Sequence, residues 1–156
     1  MFGLTSGTTG EPKGIILTHN EMFARIVTFT IEDILRADDR FLSALPLAYA
    51  AGREFSTLLL CLGATLVMFP TLFEPKDLVK AVNEKDITAL ILSPNMSRAL
   101  LTLSKGAPER LMPNLRLYVS STGKLQPEER AALSERVAPN IFDFYGSTGT
   151  GPIAVI

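Results

Sequence analysis

Tryptophan is absent from this 156-residue chain, cysteine and histidine occur once each, and charged residues make up only 20%. Each scarcity closes off a class of function. A lone thiol cannot form an internal disulfide, so Cys61 suits a reducing compartment, and a cytoplasmic protein is the expectation. Its neighbours Leu59, Leu60 and Leu62 suggest a core side chain. One cysteine and one histidine cannot make a zinc cluster. His19 has no evident serine or cysteine partner for nucleophilic catalysis, so it reads as a structural polar residue at a strand-to-helix junction. Fifteen basic against sixteen acidic residues leave a net charge of -1, which gives no electrostatic footprint for nucleic acid. Apolar runs such as residues 58–62 fall far short of the ~20 residues that span a bilayer. The first residues carry no basic stretch or long apolar segment of the secretory kind.

What the chain does have is apolar content, 47% of its residues. Short aliphatic and β-branched runs recur at residues 41–45, 64–69, 89–92, 115–119 and 141–144, and helical patterns fill the gaps. From 21 to 35, Phe23, Ile26, Val27, Thr30, Ile31 and Ile34 fall at the spacing of one buried helical face. Pro75, Pro94 and Pro127 fit first helical positions, where a missing N–H costs nothing. Ser93 is a good N-cap before Pro94, and Gly106 a plausible stop. Leu78, Val79 and Val82 make one apolar stripe; Met96, Ala99, Leu100 and Leu103 make another. Strands alternating with helices in this way predict an α/β fold, a mostly parallel β-sheet flanked by helices. The whole chain, 1–156, reads as a single α/β unit. Met1-Phe2-Gly3 enters a motif at once and Ile153-Ala154-Val155-Ile156 stops in mid-strand character, so the sequence looks like an internal piece cut at both ends. An unpaired final strand and so much apolar surface predict self-association as a homodimer or larger.

The strongest chemical signal is Thr5-Ser6-Gly7-Thr8-Thr9-Gly10-Glu11-Pro12-Lys13-Gly14. Glycines let backbone N–H groups approach an anion, hydroxyls donate further hydrogen bonds, and Lys13 adds a point charge. The string predicts a phosphate-holding loop. It does not meet the Walker A spacing, and Pro12 and Gly14 oppose an immediate helix.

This string resembles the signature of the adenylate-forming, AMP-binding superfamily, which includes acyl-CoA synthetases. The resemblance continues through Ile15-Ile16-Leu17-Thr18-His19-Asn20, Ala44-Leu45-Pro46-Leu47, Gly63-Ala64-Thr65 and Ser120-Ser121-Thr122-Gly123 to Asp143-Phe144-Tyr145-Gly146-Ser147-Thr148. It implies one subdomain of a large nucleotide-binding N-terminal domain. Thr5, Ser6, Gly7, Thr8, Thr9 and Gly10, with Lys13, would hold the ATP β- and γ-phosphates. Ser121, Thr122 and Gly123 match a small-residue turn against one adenine face, and Tyr145, followed by Gly146, would stack on the other. Asp143 would reach the exocyclic amine, and Thr148 the α-phosphate. Lys13 and Thr148 would be the catalytic pair. Tyr49 and Ser121 would line the pocket for the acid.

Two departures stand out. The family's Tyr-Gly-x-Thr-Glu motif normally ends in a glutamate that helps to hold Mg²⁺, but here Gly149 follows Thr148. The aromatic gate after Pro46-Leu47 is Ala48-Tyr49. Arg53 and Glu54, just beyond, read as a pocket pair or as a solvated helix start. The resemblance thus implies an ATP- and Mg²⁺-dependent ligase for a fatty or aromatic acid with coenzyme A as co-substrate, inactive as this piece alone. A non-catalytic nucleotide-binding or regulatory relative is the alternative that Gly149 favours.

Overall fold

The computed structural model describes residues 2–5, 11, 13–31 and 34–156. A hairpin opens the chain. Strands β1 (Phe2–Thr5) and β2 (Lys13–Ile16) pair antiparallel, with Gly3 opposite Ile15 and Thr5 opposite Lys13. Helix α1 (His19–Ile31) follows, capped by Thr18: its Oγ accepts from the Glu21 N–H while the Glu21 carboxylate accepts from the Thr18 N–H.

The rest alternates as the apolar runs predict: β3 (Arg40–Ser43), α2 (Ala50–Leu62), β4 (Thr65–Met68), α3 (Pro75–Glu84), β5 (Ala89–Leu92), α4 (Pro94–Leu103), β6 (Leu117–Ser120), α5 (Pro127–Arg136) and β7 (Ile141–Ser147). Pro75, Pro94 and Pro127 all open helices, and the Ser93 side chain accepts from the Met96 N–H. The five strands pair parallel in the order β4-β3-β5-β6-β7. The α/β fold with a mostly parallel sheet is therefore as expected.

Both faces of the central strands are covered, which is why they read as unbroken apolar runs. On one face Leu42, Leu90, Leu92 and Tyr118 pack with Leu78, Val82, Leu100 and Leu133 from α3, α4 and α5. On the other, Phe41, Ala89, Ile91, Leu117 and Val119 pack with Phe55, Leu58 and Leu59 of α2. Burying each such side chain contributes about 1.5–3 kcal/mol.

Three expectations fail. The final residues do have a sheet partner: β8 (Gly151–Val155) turns back and pairs antiparallel with β7, so an unpaired last strand is no ground for self-association. Cys61 is exposed, because α2 turns it away from the sheet that Leu58 and Leu59 cover. The apolar stripe from α1 onward is buried only in part: Ile26 and Ile34 pack against the core, but Phe23 is 66% exposed and Val27 is also exposed. The one fully buried residue among the helix's described side chains is Arg25, and the side chains of Thr30 and Ile31 lie outside the described residues.

At the opposite edge from the strand carboxyl ends lies a buried carboxylate. Asp39 accepts from Arg116 Nε (3.0 Å), from the Thr88 hydroxyl (2.7 Å) and from the Arg36 N–H (2.9 Å). Burial pushes this carboxyl up, but the hydrogen bonds from Arg116, Thr88 and Arg36 outweigh it and hold the pKa below the ordinary value. A depressed carboxyl contributes stability that is fully present above its unfolded pKa of ~3.9 and is lost as pH falls through the folded value. Asp39→Asn should cost about 2 kcal/mol at neutral pH, and its deficit against the parent should shrink as pH drops below about 4. Urea titrations of both proteins at the two pH values check this.

Candidate functional site

The parallel strands end at one edge, and the loops leaving β3, β5 and β6 gather there. Ligands of open α/β sheets sit at this edge. After β6 the chain turns through Ser121, Thr122 and Gly123. Thr122 adopts φ +74°, a left-handed conformation that a β-branched residue avoids. Such strain costs on the order of 1–3 kcal/mol and concentrates at functional sites.

Thr122 and Gly123 share a cavity of about 510 Å³ with Asp143, Tyr145 and Gly146. Asp143 Oδ1 is buried and lacks a hydrogen-bond partner among the described residues. Tyr145 is 65% exposed, so its ring is open to a stacking partner. A second cavity of about 580 Å³ adjoins through Thr122 and Gly146, and is lined by Tyr49, Glu54, Ser121 and Thr148. The structure thus brings together Thr122, Gly123, Asp143, Tyr145 and Gly146 around one cavity, and Tyr49, Ser121 and Thr148 around its neighbour.

Thr148 stands in the turn between β7 and β8, and this turn faces the opening hairpin. A Cβ on Gly3 would lie 2.9 Å from Thr148 Cγ2, and one on Gly149 would lie 3.5 Å from Ile15 Cδ1. Gly3 and Ile15 are register partners, so one face of the hairpin abuts residues 148–149. Lys13 lies two residues from Ile15 and therefore projects on that same face. Thr5, its register partner, begins the connection. Ser6, Gly7, Thr8, Thr9 and Gly10 lie outside the described residues.

Sequence pattern alone missed what holds this turn. Arg25, 8% exposed, donates from Nη1 to Glu54 Oε1 at 2.5 Å. Its Nη2 donates to the carbonyl oxygens of Thr148 (3.1 Å) and Gly149 (3.2 Å). Arg53 and Glu54 are neither a pair nor a solvated helix start, because consecutive helical residues point apart. Arg53 turns to the carbonyls of Leu47 and Ala48, and Glu54 goes inward to Arg25. Burial pushes the Glu54 carboxyl above its ordinary value, and the Arg25 and Arg53 charges offset this only in part. The available signal was slight: Arg25 is the one arginine or lysine of α1 and Glu54 the one acidic residue of α2. His19 is the exposed first residue of α1.

A profile of the family described as AMP-binding enzyme matches residues 1–156. The chain belongs to this AMP-binding family. Among its relatives, a 4-chlorobenzoate–CoA ligase from Arthrobacter is 32% identical over 149 residues, covering 94% of this chain and 28% of the relative. An indoleacetate–CoA ligase from Aromatoleum aromaticum is 32% identical over 151 residues, covering 96% of this chain and 29% of the relative. Among solved structures, O-succinylbenzoate coenzyme A synthetase from Bacillus subtilis, in complex with ATP and a magnesium ion, superposes with a TM-score of 0.83 at 25% identity. That likeness covers 99% of this chain and 32% of the synthetase. The AMP-binding chain thus spans under a third of the length of these relatives, and its curated relatives are acid–thiol ligases.

The strain at Thr122 can be measured directly. Thr122→Gly removes the Cβ that disfavours the left-handed turn, and should stabilise the protein by about 1 kcal/mol despite glycine's extra unfolded-state entropy. An upward shift of the denaturant midpoint at constant slope is the expected reading.

Proposed function

We propose that this chain is the nucleotide-handling segment of a longer ligase that activates a carboxylic acid with ATP and passes it to coenzyme A. The acid's carboxylate oxygen attacks the α-phosphorus, the bond from that phosphorus to the bridging oxygen breaks, and pyrophosphate leaves with the electron pair. The thiolate of coenzyme A then attacks the acyl carbon of the mixed anhydride and expels AMP. Membership of the AMP-binding family and the CoA-ligase relatives support the general class. The observation that carries the site reading is Asp143, which lines the cavity beside an open tyrosine ring and whose buried Oδ1 has no hydrogen-bond partner among the described residues.

In this reading Asp143 accepts from the adenine amino group and Tyr145 stacks on the base, with Thr122 and Gly123 against its other face. Thr148 meets the α-phosphate. Lys13 and the residues from Thr5 to Gly10 neutralise the departing pyrophosphate. The acid occupies the adjoining cavity, with Tyr49 and Ser121 on its wall. Catalysis of this kind is positioning and charge neutralisation, which suits loops of hydroxyls, amides and a lysine. These 156 residues correspond to under a third of the length of those relatives, and taken alone they are expected not to turn over.

Magnesium on the nucleotide fits these residues poorly. Among the described residues no group of three His, Cys, Asp or Glu side chains could hold a metal ion. Gly149 follows Thr148, and Glu54, the acid lining the same cavity, is engaged by Arg25. Gly149 also favours a second reading, a relative that binds nucleotide without catalysis.

Two substitutions in the full-length protein test the reading. Lys13→Ala should lower kcat/KM for ATP in ATP–pyrophosphate exchange by more than about tenfold, or about 1.4 kcal/mol. Wild-type protein that exchanges with no acid, yet still binds AMP, would favour the non-catalytic reading. Gly149→Glu should lower the Mg²⁺ concentration that exchange requires. The nearest atoms to a Cβ there are at 3.5 and 4.0 Å, ordinary contact distances, so a carboxylate can be introduced without displacing the turn. Unaltered Mg²⁺ dependence would mean that another group already serves.

A further inference from the structure

The turn that carries Thr148 is short, residues 148–150 between β7 and β8, and Gly149 at its centre constrains the backbone least. Within the turn the Thr150 N–H and hydroxyl bond the Ser147 hydroxyl, at 3.1 and 2.8 Å, which fixes one side only. The carbonyls of Thr148 and Gly149 point the other way and are taken by Arg25, which lies 123 residues before Thr148 in the chain.

We propose that Arg25 is a positioning residue of this site: its guanidinium, anchored on Glu54, grips the 148–149 carbonyls and sets where the Thr148 hydroxyl stands. The inference rests on the adenylation reading, in which Thr148 meets the α-phosphate. The geometry supplies what such a clamp needs. Arginine presents donors in a rigid fork, so one end can hold a carboxylate while the other spans two carbonyls; an ammonium group cannot do both. Glu54, 7% exposed, is fixed within α2, the helix that begins beside Tyr49, so the anchor itself is stationary. Gly151 makes room, since a Cβ there would lie 2.6 Å from Arg25 Nε. Arg25 also lies on α1, which continues from the hairpin bearing Lys13. One side chain thereby ties α1 to α2, which begins beside Tyr49, and to the turn that carries Thr148.

A buried charge pair could equally be mere packing, so the test separates the two. Arg25→Lys and Glu54→Gln are made in the full-length protein. The first keeps the charge and loses the fork; the second loosens the anchor with little change of shape. Three quantities are read: hydrogen exchange of the peptide spanning residues 147–151, the Kd for adenosine, and kcat for ATP–pyrophosphate exchange. The clamp predicts exchange in 147–151 accelerated by about tenfold, kcat lowered by about tenfold or more, and the Kd for adenosine within about threefold of the parent. Adenosine has no phosphate for Thr148 to meet, and Thr122, Asp143 and Tyr145, which take the base, are untouched. Unchanged exchange and kcat in both variants would overturn the proposal, as would adenosine binding lost in step with kcat, which is the signature of general packing. Thr148→Ala separates this from the adenylation reading on which it rests. If Thr148→Ala lowers kcat but Arg25→Lys and Glu54→Gln do not, the clamp alone fails. If Thr148→Ala is silent, the role given to Thr148 fails, and the clamp's part in the reaction falls with it. Should Arg25→Lys not fold, Glu54→Gln carries the same three readouts, and the same results support or overturn the clamp.

Discussion

Parallel pairing of β3, β5, β6 and β7 is the constraint from which the site follows. In a parallel sheet every strand must return to the same starting edge through a connection, so all carboxyl ends meet at the other edge. The helices that make those returns cover both faces and remove the strands from water. That leaves the carboxyl-end loops as the places where the backbone is free to bend around a ligand. Thr122, Asp143 and Tyr145 lie at this edge because the register of β6 and β7 puts Ser120 opposite Asp143. The Asp39–Arg116 network closes the opposite edge, where no ligand is needed and the carboxylate is satisfied by protein donors.

Much of this was legible from local pattern. The central strands announced themselves as apolar runs because both their faces are buried, and three helix starts were readable from proline's missing N–H. The motif order led to the right family and to residues that the fold brings to one edge. What was not legible depended on partners far away in the chain. Nothing local in Phe23 or Val27 says that α1 presents them outward, because the inward side of the helix is shared by Ile26 and by a charge, Arg25, whose partner is on another helix. Apolar spacing reports a face, but which face is inside is settled by tertiary packing. The last strand misled in a related way. A βα alternation leads one to expect each new strand to need a crossover, whereas a short turn after Ser147 lets the chain double back at once and pair with its predecessor.

The site also combines two forms of stored cost. Thr122 holds a strained dihedral, and Arg25 and Glu54 hold opposite charges away from water. Neither is what maximal stability would select, since a well-packed apolar pair is often as stable as a buried ion pair. Both are tolerated because the surrounding sheet and helices are tightly packed, and both stand within the same group of loops.

Gly151 carries a consequence for how this sequence can drift. Its φ of +72° disfavours any side chain, and a Cβ there would collide with Arg25. The two barriers differ in kind: one belongs to the backbone and the other to a neighbour. A lineage that loses Arg25 lifts the collision at 151 yet keeps the dihedral penalty, so that site opens only part-way. A lineage that changes Gly151 first must displace the guanidinium, and with it the grip on Thr148. Either route gives up the grip on Thr148, but only the loss of Arg25 does so without a collision, and the backbone penalty at 151 then outlasts the steric one.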